Sequence, residues 1–171
     1  MPRINDAVRR ILRVKFRAGL FEHPYVDVSK AESAQMLPDA VALASKDAAR
    51  SMVLLKNDNS TLPLDPAKNT AVIGPLGDDG HAMLGPWWGT GRDQDAVTLL
   101  NGIKAQSSGT TTFVQACSLP HTEPPQYDPA ADCPAGAGFD QAVAAANAAD
   151  QVVLALGESR EMSGEAASRS P

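Results

Sequence analysis

Basic residues are outnumbered in this sequence, with 15 Lys and Arg against 20 Asp and Glu and a net charge of −5. That balance excludes a surface built to track nucleic-acid phosphates, which needs a clustered positive charge. Aromatic residues are only 5% of the chain against 43% hydrophobic residues overall, so a core must be built mainly from Ala, Val, Leu and Ile. No apolar run approaches the roughly 20 residues of a membrane span. Met1 to Leu20 has no apolar h-region of a secretory signal, an absence without weight if the true N-terminus lies elsewhere. Cysteine is limited to Cys117 and Cys133, which lack metal-pair spacing, and His23, His81 and His121 are scattered. A structural metal site is therefore not expected, and no cofactor is. The two cysteines flank a polar, Pro-rich stretch. A loop-closing disulfide, favoured if the protein is exported, and two free thiols are equally compatible with that spacing.

Catalytic signatures are scarce too. There is no Gly-x-Ser-x-Gly elbow, and neither cysteine has a histidine at a recognised spacing. Gly74-Pro75-Leu76-Gly77-Asp78-Asp79-Gly80 follows a short strand, but it matches neither GxGxxG nor the P-loop. A tight turn is the expectation there, rather than a nucleotide site.

What is present is a strand–helix order. Ile4, Val8, Ile11, Leu12 and Phe16 recur at helical spacing, predicting a helix over 3–20 with Gly19 as its stop. Its Arg-rich remainder admits a membrane-surface helix or a transit peptide, but a solvated face is favoured, since Arg stems cover apolar surface well. Residues 23–37 have no period and read as a linker. A second helix is expected over 38–55, with Pro38 in its first turn. Then come a strand at 71–73, a helix at 99–105, a strand at 111–115, a loop over 118–137 and an Ala-rich helix at 139–149. Last is Val152-Val153-Leu154-Ala155-Leu156, a continuous apolar run that reads as a strand buried on both faces. The alternation implies an α/β fold with a parallel, Rossmann-like sheet. A doubly buried strand needs neighbours on both sides, and only fifteen residues follow it. The first helix also lacks a partner for its apolar face. Both ends are thus expected to be cut.

The chemically dense stretch is Gly157 to Arg169, at the C-terminal end of that last strand, where α/β sheets place their ligand crevices. It holds Glu158, Glu161 and Glu165 with Arg160 and Arg169 among small residues. Carboxylates there suit general acid work; a solvated loop with local ion pairs is the plainer reading of spacing alone.

Several stretches, in order, resemble glycoside hydrolase family 3, the β-glucosidase-type enzymes. Ile4 to Phe21 resembles the closing helix of that family's TIM-type barrel domain. Ala49-Arg50-Ser51-Met52-Val53-Leu54-Leu55-Lys56-Asn57, with Leu62-Pro63-Leu64, resembles the opening of its second, α/β sandwich domain. Ala71 to Leu76 is similar to that domain's first strand and turn, and Met83-Leu84-Gly85-Pro86-Trp87-Trp88 to the next loop. Asp150 to Glu158 and Ser163 to Arg169 resemble the strand and loop bearing the acid/base Glu. The resemblance implies residues 1–22 as the end of a barrel, 23–37 as linker and 38–171 as the incomplete first part of the sandwich.

It also implies a retaining mechanism, in which one carboxylate attacks the anomeric carbon and another protonates the leaving oxygen, the two about 5–5.5 Å apart. Matched to the family motif, Glu165 is the acid/base candidate, with Glu158 and Glu161 as alternatives and Arg169 in support. Trp87 and Trp88 either stack on a sugar or anchor their loop. The family's Asp nucleophile sits in a Ser-Asp-Trp-like barrel motif that this sequence lacks, so the chain alone is expected to be inactive. The implied substrate is a β-glucoside or oligosaccharide bound jointly with the missing barrel, and export of the parent protein is compatible. The competing expectations are a non-catalytic Rossmann-like binding module and an inactive truncated gene product.

Overall fold

The computed structural model describes residues 1–119, 132–133 and 136–162. The chain divides into two compact units, residues 1–57 and the remainder from Asp58 onward.

In the first unit, α1 (Pro2–Arg17) ends where the sequence places a stop. Gly19 takes a left-handed φ of 68°, and Leu20 N–H reaches back to the Lys15 carbonyl at 3.1 Å. That closure satisfies a terminal carbonyl with the residue type that adopts positive φ at little cost. Asp6 accepts from Arg10 one turn on at 2.9 Å, while Ile4, Ile11 and Phe16 on the apolar face stay exposed. The linker region carries a single 3-10 turn, Val28–Lys30, capped by Asp27.

The second helix is shorter than its pattern suggests. α2 (Pro38–Ser51) stops before Met52, which is extended at φ −72° and ψ 136°. Met52, Val53, Leu54 and Leu55 are four apolar residues in succession, which no single helical face accommodates. All four are exposed along an extended segment, and Ser51 Oγ closes the helix on the Ala48 carbonyl at 2.8 Å.

The second unit is α/β. Among the described residues three strands, β1 (Thr70–Ile73), β2 (Thr111–Val114) and β3 (Gln151–Leu154), form a parallel sheet in the order β2-β1-β3. Thr70 pairs with Thr111 on one side and Gln151 on the other. Two helices supply the crossovers parallel strands require: α4 (Leu99–Gln106) before β2 and α5 (Ala137–Ala148) before β3. A short α3 (Gly80–Met83) precedes them. The loop expected over 118–137 lies mostly outside the described residues.

The interior strand is β1, not the apolar run near the C-terminus. All four β1 residues are buried, whereas Val152, Leu154 and Leu156 are 41%, 62% and 68% exposed. Residues 152–156 were expected to be covered on both faces because every position is apolar. Among the described residues β3 has a neighbour on one side only, and α5 lies over β1 and β2, with Ala142, Ala145, Ala146 and the following Ala149 against Ala71, Ile73 and Val114. Apolar composition records what a strand is able to bury, while the sheet order decides what it does bury.

The strand starts are tied by side chains. Gln151 Nε2 donates to Thr70 Oγ1 at 2.8 Å and to the Asp65 carbonyl at 2.9 Å. Asp150 accepts from Asn69 N–H at 2.9 Å, and Asn69 Oδ1 accepts from Thr110 N–H at 3.0 Å. All three strands are thereby fixed in register at one end. The opposite, C-terminal end is left for loops. Cys117 and Cys133 are joined in a disulfide just beyond β2, which resolves the two alternatives left by their spacing.

Candidate functional site

Two loops leave the C-terminal edge of the sheet side by side. The first begins at Gly74, whose φ of 120° and closeness to Ala155 exclude a side chain; an added Cβ would lie 2.5 Å from the Ala155 carbonyl oxygen. Three of the turn's amides are taken up by backbone carbonyls. Gly74 N–H donates to Val114 O, Leu76 N–H to Ala155 O and Gly77 N–H to Gly74 O. They are not offered as a phosphate cradle, in keeping with a tight turn. Gly77 in turn lets Phe113 and Val72 close over the backbone.

Asp78 accepts from Thr98 Oγ1 at 2.7 Å, tying this loop to the start of α4. Asp79 then caps α3 by accepting from Ala82 N–H at 2.9 Å, and His81 projects from that short helix. Past Trp87 and Trp88 the chain turns through Asp93–Asp95, where Arg92 grips Asp95 at 2.7 Å.

The second loop leaves β3 through Ala155. Glu158 is exposed, Ser159 is buried, and a 3-10 turn, Arg160–Met162, buries Glu161. Here the two loops join. Glu161 Oε1 accepts from Arg160 Nε at 2.9 Å and pairs with His81 Nε2. His81 Nδ1 faces Asp93 Oδ2 at 3.2 Å, and Arg160 Nη1 lies 3.8 Å from Asp93 Oδ1. A doubly protonated imidazole is the form that donates to both carboxylates. The Arg160 guanidinium also stacks over Trp88, 4.5 Å from the ring centroid. Burial pushes the Glu161 carboxyl up, but the hydrogen bonds from His81 and Arg160 outweigh it and bring its pKa down to about 2. Among the described residues, Glu161 Oε2 and Ser159 Oγ are buried without a hydrogen-bond partner.

The structure therefore brings Glu161 and Trp88 together through Arg160. Trp87 is 77% exposed. Glu165 and Arg169 lie outside the described residues. Arg160 was legible as part of the charged stretch, whereas His81 and Asp93 carried no recognisable signal, because their partners are distant in sequence: His81 and Glu161 are eighty positions apart. Among the described residues no group of three or more His, Cys, Asp or Glu is arranged to hold a metal ion, and no helix is long and apolar enough to cross a membrane.

The family model of the glycosyl hydrolase family 3 C-terminal domain matches residues 52–171. A periplasmic β-glucosidase of Salmonella typhimurium is 35% identical over 99% of the chain, which spans 24% of that protein. A β-xylosidase of Formosa agariphila is 28% identical over 99% of the chain, here 23% of the relative. Among solved structures, a β-glucosidase from Listeria innocua in complex with gluconolactone aligns with 95% of the chain and 20% of its own length, at a TM-score of 0.73 and 29% identity. A D270A mutant of that Listeria enzyme, in complex with laminaribiose, aligns at a TM-score of 0.75. The chain thus spans about a quarter of the length of these curated relatives.

Proposed function

The chain belongs to glycoside hydrolase family 3, and on that premise we propose that it is the segment of a retaining β-glycosidase that supplies the acid/base carboxylate. The observation that carries this reading is the meeting, at the C-terminal edge of the sheet, of a carboxylate-bearing loop and an aromatic loop, through Arg160 and Trp88.

Three carboxylates compete for the role. A general acid must hold its proton near the working pH and release it on demand. Glu161, with its pKa brought down to about 2 and its Oε1 committed to Arg160 and His81, is poorly suited. Glu165 remains the leading candidate on the family motif, with Glu158 as the exposed alternative. Arg169 is proposed as a support for Glu165. The arginine-stacked Trp88 is proposed as an anchor of its loop, and Trp87 as a surface on which a sugar ring stacks.

The substrate class proposed for the parent protein is a terminal, non-reducing β-linked sugar, as the names of the glucosidase and xylosidase relatives suggest. Because the sequence lacks a Ser-Asp-Trp-like motif, the nucleophile must come from elsewhere. A periplasmic or secreted parent is supported by the Cys117–Cys133 disulfide, which persists in oxidising compartments, and by two relatives named as periplasmic. The test is hydrolysis of an aryl β-glucoside by the purified 171-residue chain. No turnover is expected. Turnover that Glu165→Gln abolishes would overturn the proposal that the nucleophile is supplied from outside.

A further inference from the structure

Glu161 is bonded to partners on two different loops, and that arrangement points to a role other than acid catalysis. Its side chain is 3% exposed, and that of Arg160 is 10% exposed. A buried carboxylate persists only where cations and hydrogen bonds hold it. Here two nitrogen partners are supplied, and from different directions. Arg160 comes from the same turn, and His81 from α3 on the other loop. Asp93, at the start of the 3-10 turn after the tryptophans, then closes the circuit on His81 and Arg160.

We propose that Glu161 is a positioning residue: a buried anionic pin that fixes the carboxylate-bearing loop after β3 to the aromatic loop after β1. This rests on the reading that the loop after β3 carries the acid/base group. Glu158 lies three positions before the pin, so fixing Glu161 restricts the backbone between them. The same pin holds Arg160, and through it the stacked Trp88. One ion-paired residue thereby sets the placement of the carboxylate loop and of the aromatic loop together. A neutral residue at 161 would take away the carboxylate charge that Arg160 and His81 share, and would loosen the coupling of the loops while leaving the sheet intact.

The groups facing the pin also define the control. His81, Asp93 and Arg160 belong to the two loops, whereas β1 is held by its own ladder and by the Gln151, Asn69 and Asp150 contacts at the far end. Loss of the pin should therefore be local.

The experiment is amide hydrogen exchange on the full 171-residue chain, comparing wild type with Glu161→Gln, Glu161→Asp and His81→Gln. Expected for Glu161→Gln and His81→Gln is exchange faster by about tenfold or more at residues 158–162 and at 81–88, the size of a lost charge-assisted hydrogen bond. The amides of β1 should exchange as in wild type, and Glu161→Asp, which keeps the charge, should restore part of the protection. The proposal is overturned if 158–162 and 81–88 exchange as in wild type in both variants. It is equally overturned if β1 accelerates by the same factor, which would make Glu161 an ordinary contributor to global stability. Should Glu161→Gln fail to fold, His81→Gln reads the same link from the less buried side. No turnover is needed, so a failure here leaves the hydrolase reading standing, and a failure of that reading leaves this result intact.

Discussion

His81 and Glu161, eighty residues apart in the chain, share a hydrogen bond between the imidazole Nε2 and a carboxylate oxygen of a side chain that is 3% exposed. The bond joins α3 to the turn after β3, so each loop's position depends on the other. A double-mutant cycle of His81→Ala and Glu161→Ala, read by denaturant unfolding of the chain, should show a coupling energy of about 1–3 kcal/mol. Additive losses would show that the two side chains stabilise the unit independently.

The same carboxylate makes stability depend on acid in a defined direction. Its pKa is lowered from an ordinary 4.5 to about 2 in the folded chain. A depressed carboxylate contributes stability that is present above its unfolded value and is lost as pH falls through the folded one. The contribution, on the order of 3 kcal/mol, should be intact above about pH 4.5 and disappear progressively toward pH 2. Urea midpoints measured from pH 7 downward should show this loss in wild type, and Glu161→Gln should lack that component.

The sheet order makes a contrast between two apolar strand residues. Val72 in β1 is fully buried, while Leu154 in β3 is 62% exposed. Val72→Ala should cost about 2 kcal/mol, from lost burial and the space left behind. Leu154→Ala, although it removes more side chain, should change the stability of this chain by only about 0.5 kcal/mol. Comparable losses at both positions would mean that β3 is covered in solution.

The disulfide between Cys117 and Cys133 closes a separation of 16 residues. Restricting a loop of that size in the unfolded chain stabilises the native state by about 3 kcal/mol. Reduction, or Cys117→Ser with Cys133→Ser, should lower the unfolding free energy by about that amount, read by urea titration with and without reductant.

Local signals made much of this fold legible. Gly19 marked the end of α1 to within two residues, and the strand–helix alternation implied the parallel sheet, because both depend on neighbours in sequence. The errors arose where distant partners decide the outcome. The run from Val152 to Leu156 has the composition of an interior strand, and among the described residues it pairs with β1 alone; composition does not say which strands pair. The four apolar residues after Ser51 extended the helical pattern on paper but fit no one helical face. His81 read as a scattered histidine, since nothing near it in sequence shows that Arg160 and Glu161 fold back onto it. The family motif pointed to the carboxylate loop, while the distinct task of Glu161 within it appeared only with its partners in place.

The central claim is that this chain supplies the acid/base carboxylate and that Glu165 is that group. The most direct measurement places the chain behind a family 3 barrel that provides the Asp nucleophile, and compares Glu165→Gln with the parent on two β-glucosides. The sugar alkoxide that leaves a disaccharide needs a proton, whereas a dinitrophenolate leaves without one, so the predicted result is a loss of about 10²–10⁴-fold in cleavage of the disaccharide with bond cleavage in the dinitrophenyl glucoside largely spared. Equal losses on both substrates, or no loss on either, would contradict the account.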